Sequence, residues 1–386
     1  MTLFKTGLLA ATCAAVLGGP AAAQLALSGN DNKAVLDNGV TRIVQNPAPD
    51  TVALLDLGAN PPAMIAEAQV PHSVVGPPYS VAISPNGLIG LVSSNQKIDP
   101  ANPARTIPDN RLTVLDLSNR GIRVVGTLET GAGPAGISFN RAGTLALVAN
   151  RAEGTISVFR VRDGQVTPLG KVTVGNAASE VSHVAFTPDG TRALVTRNGD
   201  NSIGVLEVAG ETVTVQDRQL TPGVRPYGLS IASHGRAAVV ANIGRGTGDA
   251  DTISVIDLAR EPYRVVETIS VGQTPEGIEL SPDGRFVAVT VMNGSNKPQG
   301  SPFLGTGLVR VYRLDGTSLR HHGDATVGGW AQGAAFSSDG RRLFVQNMVE
   351  RNIQVLEITE QGVRDTGQKI AMSGGPAAIR IAEPTQ

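Results

Sequence analysis

Six segments of the chain repeat one pattern: PPYSVAISPNG (77–87), GPAGISFNRAG (133–143), EVSHVAFTPDG (180–190), RPYGLSIASHG (225–235), TPEGIELSPDG (274–284) and WAQGAAFSSDG (330–340). Their closing glycines, Gly87, Gly143, Gly190, Gly235, Gly284 and Gly340, are spaced by 45 to 56 residues. A period of this size means a solenoid, a propeller or an array of units, and it constrains the fold more than any other feature of the sequence.

Each unit continues in the same way. A strand such as TLALVANR (144–151) is followed by a second such as GTISVFRV (154–161) and a third such as GKVTVG (170–175). Val, Ile and Thr in period-two alternation mark them as strands. Asp189-Gly190, Asp283-Gly284, Asp339-Gly340 and Asn86-Gly87 separate the first strand from the second, and such pairs predict two-residue hairpins with positive φ at both central positions. Four antiparallel strands per unit describe a propeller blade. The C-terminus begins one more unit, GGPAAIRIAEP (374–384), and stops after its first strand. Near the N-terminus VTRIVQN (40–46) matches a second strand, DTVALLDL (50–57) a third and MIAEAQV (64–70) a fourth. The expected fold is therefore an all-β, seven-bladed β-propeller closed by a split blade of one C-terminal and three N-terminal strands, which removes the open edges.

The composition agrees with this fold. The chain of 386 residues has 46 Gly and 24 Pro but only 8 Phe, 4 Tyr and 1 Trp, so blades must pack through aliphatic side chains. Gly at Pro-x-Gly turns lets inner strands converge on an axis. A formal charge of −1 provides no polybasic footprint for duplex nucleic acid or anionic lipid. Residues 1–23 read as a secretory signal: a charged start at Lys5, an apolar run from Thr6 to Gly18, and Ala21-Ala22-Ala23 before a cleavage near Ala23-Gln24. Residues 24–386 are then a single domain, expected to be periplasmic or secreted, monomeric and without an integral membrane segment. The sole cysteine, Cys13, falls in the signal, which removes disulfides, thiolate zinc sites and covalent c-type haem from the mature chain.

In a four-stranded meander the connections into strand one and between strands two and three emerge on one face. The second-to-third connections are long at 96–110, 243–251 and 293–307, and they carry Lys97, Arg105, Arg245 and Lys297. Long loops on a rigid scaffold commonly carry binding. The x residues of Pro-x-Gly vary around the ring (Tyr79, Ala135, Ser182, Tyr227, Glu276, Gln332, Ala377), as a ligand-facing rim would. With their neighbours they give the candidate channel-mouth residues: Tyr79, Arg151, His183, Arg197, Tyr227, Glu276, Trp330 and Gln332. Asn242, Asn293 and Asn347 end second strands and read as structural caps. No metal or cofactor is expected, and no phosphate loop, Gly-x-Ser-x-Gly elbow or His-Glu-x-x-His motif occurs.

The run TPEGIELSPDGRFVAVT, with a strand of the ISVIDL type at Thr252 to Leu258, resembles the YVTN-repeat, lactonase-like seven-bladed propeller family over residues 40 to 384. That resemblance implies the fold. It also implies a choice among sugar-lactone hydrolases, non-catalytic exported propellers and propellers that hold haem or pair with redox subunits. Lactone-hydrolysing members show a Pro-Arg-His run, a Glu after the Asn that ends a second strand, and a further Pro-Arg. Here those positions read Val181-Ser182-His183, Arg197 and Ala331-Gln332. The reading therefore favours a module that binds a small molecule, glycan, peptide or protein on its loop-rich face, with lactone hydrolase and redox-associated subunit as alternatives.

Overall fold

The structure, a computed structural model, describes residues 24–382. The signal segment expected over 1–23 lies outside them. Seven four-stranded antiparallel sheets surround a central channel. Numbering blades from the first whole repeat, their inner strands are Val81–Ile83, Pro134–Phe139, Val181–Phe186, Pro226–Ile231, Pro275–Leu280 and Ala331–Phe336 for blades 1 to 6. Blade 7 is the split one, with Gly375–Ile381 innermost, then Leu25–Asp31, Thr51–Asp56 and Ala63–Gln69. Ala26 pairs with Ile381 and Leu27 with Arg380, so the two ends of the described chain close the ring.

The sequence reading placed the second strand of this blade at 40–46, and the structure corrects it to Leu25–Asp31. Leu25–Asp31 is buried almost throughout, as a strand between two others must be. Val40–Ile43 is largely exposed and instead pairs with Ala34–Asp37 in a separate two-stranded ribbon. Val-Thr-Arg-Ile alternates like a blade strand, but its side chains are left largely exposed and are not enclosed between two blades. The ribbon is thus a fourth long insertion between second and third strands. The segment 96–110 is also not a free loop. Strands Ile89–Asp99 and Asn102–Asp116 stay paired through it, with Lys97 opposite Ile107.

Seven apolar clusters among the described residues each join two neighbouring blades. Leu147, Val158, Val184 and Leu206 fill the gap between blades 2 and 3, and Leu27, Leu54, Val81 and Leu115 that between blades 7 and 1. Aliphatic packing therefore runs unbroken around the ring, including across the split blade. Hydroxyls of second strands add polar ties: Ser93 donates to the Ala135 carbonyl of the next blade at 2.6 Å, and Thr196 to that of Tyr227 at 2.9 Å.

The hairpins between first and second strands differ from the two-residue form. In Thr187-Pro188-Asp189-Gly190 the Gly190 N–H donates to the Thr187 carbonyl, and only Gly190 takes positive φ, at 70°. Asp189 stays right-handed because its carboxylate accepts from the Thr187 hydroxyl and the Thr191 N–H, which fixes a longer turn.

The Pro-x-Gly stretch carries a β-bulge in each of blades 2 to 6. Pro226 faces Asn242 while Leu229 faces Val240, three residues on one strand against two on the other. The extra residue inverts the side-chain alternation. Position x and position x+3 then both face the channel, so Tyr227 shares it with Ser230, and Glu276 with Glu279.

Candidate functional site

The channel is filled at mid-depth. Tyr79 from blade 1 stacks on His183 from blade 3, ring centres 4.0 Å apart and planes 19° from parallel, and both are buried. The Tyr79 hydroxyl accepts from the Ile278 N–H of blade 5 at 3.0 Å and donates back to its carbonyl. His183 accepts the Leu229 N–H of blade 4 at Nδ1 (3.3 Å), which leaves the proton of the neutral ring on Nε2. Burial, then the nearby Arg380 guanidinium, hold its pKa well below the usual histidine value. Burial, with Glu279 nearby, pushes that of Tyr79 up.

This plug explains Gly136 and Gly228 of Pro-x-Gly. A Cβ on Gly136 would stand 2.4 Å from His183 and one on Gly228 2.8 Å from Tyr79, whereas those on Gly277 and Gly333 would first meet the Gln332 carbonyl at 2.8 Å and the Gln346 side chain at 2.9 Å. Convergence on the axis is thus limited by side chains of blades 1 and 3 that reach the centre. Tyr79→Phe keeps the stack but removes the hydroxyl from both polar groups of Ile278. It should cost about 1–3 kcal/mol of stability, read from the denaturant midpoint. An unchanged midpoint would deny Tyr79 this role as a cross-ring tie.

Above the plug, on the face of the insertions, lies a cavity of about 370 Å³ lined by Tyr227, Glu276, Trp330 and Gln332, with Arg225 and Lys297 above them. Four of the eight candidates thus meet in one cavity. Arg151 stands beside it, its guanidinium 5.7 Å from the Tyr227 ring centre. The remaining three lie elsewhere. Tyr79 and His183 form the plug, and Arg197 pairs with Asp200 and packs towards Gly175 and Gly204.

The sequence reading missed Arg225 and Glu180. Both sit immediately before the Pro position of their blades at positive φ (58° and 46°), as do Thr274 and Trp330 (54° and 51°). That left-handed step turns the residue before the Pro position towards the mouth, so the repeat did carry a signal at x−2. Glu180 is shared by Arg151 (2.9 Å) and Arg225 (3.1 Å), and the Asn198 amide oxygen accepts from both guanidinium groups. Two cations against one carboxylate leave the mouth with local positive charge.

Glu276 is 7% exposed, and no hydrogen bond holds its carboxylate in place among those observed. Burial pushes its pKa up to about 8 although Arg151 and Arg225 pull it down. It is therefore largely protonated at neutral pH and can donate as well as accept. Gln332 and Asn296, which line the same cavity, each keep a buried amide oxygen without a partner among the described residues. Of the asparagines that end second strands, Asn242 and Asn347 turn inwards to their own blades, Asn242 donating to Thr252 and Ser254 and Asn347 to Asn352 and Gln354, whereas Asn293 donates to the Thr306 carbonyl within its exposed insertion. Among the described residues no group of three or more His, Cys, Asp or Glu is placed to hold a metal ion.

A second pocket, of about 100 Å³, lies below the plug and shares no lining residue with the first. The x+3 residues Ser230, Glu279 and Arg380 line it, Arg380 pairing with Glu279 at 2.5 Å.

The sequence matches the family described as lactonase, 7-bladed beta-propeller, over residues 109–245. A candidate 6-phosphogluconolactonase from Bacteroides fragilis superposes with a TM-score of 0.71 at 16% identity, covering 94% of this chain and 99% of its own. The periplasmic gluconolactonase of Pseudomonas aeruginosa gives 0.68 at 20%, with 93% and 98% covered, and the hydrazine synthase of Kuenenia stuttgartiensis 0.62 at 18%, with 81% and 91%. No curated protein sequence matches the chain. At such identities the structural likeness concerns the fold. The fold is that of a seven-bladed propeller, and residues 109–245 are similar in sequence to the lactonase family.

Proposed function

We propose that the mouth cavity is the functional site and that it binds a small polyhydroxylated ligand of the sugar or sugar-acid class, in a compartment outside the cytoplasm. The observation that carries this reading is the set of polar groups in one cavity: the protonatable Glu276 and the partnerless amide oxygens of Gln332 and Asn296. Buried acceptors without partners are costly, and hydroxyl donors of a ligand would satisfy them. The Tyr227 and Trp330 side chains supply flat apolar walls for a sugar ring, and the local excess of cations from Arg151 and Arg225 suits a carboxylate or other anionic substituent. Export is supported by the charged, apolar and small-residue sequence of positions 1–23.

Calorimetric titration with monosaccharides, aldonic acids and aldonolactones tests it. At least one class is expected to bind saturably, with affinity reduced about tenfold in Gln332→Ala through loss of a buried hydrogen bond. No saturable binding by any of them would refute the proposal.

A second reading, lactone hydrolysis, is favoured by one feature. A carboxyl titrating near neutrality beside two arginines is suited to move a proton while the cations stabilise an oxyanion. Against it, the histidine retained from the hydrolase pattern is buried in the plug, and Arg197 stands where the pattern has Glu. Lactone turnover abolished by Glu276→Gln, with binding retained, would establish hydrolysis instead.

A further inference from the structure

We propose that the ribbon of residues 34–43 is a hinged gate over the mouth cavity, so that opening of its tip controls access to the ligand site. The purpose of such a gate rests on the reading of that cavity as a binding site, but its test does not.

The ribbon is held very differently at its two ends. At the root, Lys33 Nζ lies 2.8 Å from Asp50 and 3.2 Å from Asp31 and also donates to the His72 carbonyl. Asp31 accepts the N–H groups of Lys33, Ala34 and Val74, and Asp50 those of Asn32 and His72. These groups are almost wholly buried, so the root is fixed. Outside it the ribbon is two short strands joined by Asn38-Gly39, both at positive φ (44° and 80°), the compact turn that such a pair favours.

The tip spans the mouth from blade 7 to the 293–307 insertion of blade 5. There the Asn38 side-chain oxygen accepts the Gln299 N–H at 2.7 Å, in an exposed setting. Gly39 lies flush on the loop, where a Cβ would stand 2.3 Å from the Pro298 nitrogen. That loop is itself tied to the 243–251 insertion of blade 4, with Lys297 Nζ donating to the Gly246 carbonyl at 2.6 Å and the Phe303 ring against Gly248. Ribbon and two loops thus form an arch, and Leu36, Gly39 and Thr41 of the ribbon line the cavity beneath.

The imbalance makes this a gate and not a fixed wall. The tip is held by one exposed hydrogen bond, worth about 0.5–1.5 kcal/mol, by the packing of Gly39 on Pro298, and by the approach of Val40–Ile43 to Asn102–Asp116 of blade 1; beside the buried root these holds are slight, so the tip can detach at a fraction of the cost of global unfolding. The buried ion pairs keep the root in place while it does so.

Trp330 supplies a reporter. It is the chain's only tryptophan, it lines the cavity, and it packs near Ala34 at the root of the ribbon. Cys13 is the only native cysteine and precedes the described residues, so Asn38→Cys combined with Gln299→Cys gives one pair able to cross-link tip to loop. The probe is acrylamide quenching of Trp330 fluorescence. Oxidising the pair should lower the bimolecular quenching constant about twofold relative to the same protein reduced, and replacing residues 35–42 by two glycines should raise it above wild type. The redox comparison uses one folded protein in two states, so it does not depend on the stability of the shortened variant. Equal quenching in the oxidised and reduced forms would overturn the gate. Normal gating without binding of any sugar would leave the gate standing and refute the ligand reading alone.

Discussion

Replacing Lys33 by methionine is expected to destabilise the protein by about 3–5 kcal/mol, the usual penalty when one partner of a buried ion pair is removed and the other is left uncompensated. Lys33 has two carboxylates within 3.2 Å, and the three side chains are 6%, 1% and 13% exposed in the order Lys33, Asp31, Asp50. Neither carboxylate can turn away, because each accepts backbone N–H groups that fix the start of the ribbon and the approach to blade 1. Burial already pushes the Asp50 carboxyl up, with Lys33 pulling the other way. Without the cation its pKa should rise further. A raised carboxyl contributes stability that is present in acid and lost as pH rises, so the defect of Lys33→Met should be larger at pH 8 than at pH 5. Guanidinium denaturation of both proteins at the two pH values measures this, and a loss below about 1 kcal/mol at pH 8 would contradict a buried, paired lysine.

Glu276 should make the stability of the whole ring depend on pH near neutrality. Its carboxyl titrates at about 8 in the folded protein against an ordinary value of 4.5. The folded state therefore holds the proton where the unfolded state has released it, and the contribution to stability falls as pH rises from 4.5 to 8. At 1.36 kcal/mol per unit the loss is roughly 3 kcal/mol at pH 7 and nearer 5 above pH 8. Glu276→Gln keeps the shape and removes the titration. The variant should match the wild type in stability near pH 4.5 and exceed it by several kcal/mol at pH 8. Parallel stability curves for the two proteins across this window would show that Glu276 ionises freely, and the case for it as a protonated donor in the cavity would fall with them.

The ring was legible because its signal is repeated. Six copies of one segment fix the phase of every blade, and a seventh first strand at 374–384 with unpartnered strands near the N-terminus requires closure across the ends. The cavity residues Tyr227, Glu276 and Gln332 were legible for the same reason, since they occupy position x of the repeat, and Trp330 because it stands two residues before that position. Features set by contacts outside that phase were not. The bulge at Pro-x-Gly changes which side chains face the axis, so Ser230, Glu279 and Arg380 stayed hidden although they lie at a constant offset from x. Tyr79 and His183 look like rim residues in sequence. Their burial follows from one meeting the other across the ring, between positions 104 residues apart. The ribbon was misread because alternation records only a strand's own chemistry and carries no information on whether a neighbouring blade lies against it.

The stacked pair at mid-depth also decides what kind of object this propeller is. Seven-fold architecture suggests a pipe running through the disc, but Tyr79 and His183, bolted to blades 5 and 4, make it two blind wells set back to back. The upper well and the lower one share no lining residue, so a ligand on the floor of either meets only the side chains of that side. The chemistry of the two floors is therefore independent, one formed by x residues and the other by x+3 residues of the same inner strands. In the bulged strands one extra residue has given the scaffold two separate surfaces on which selection can act.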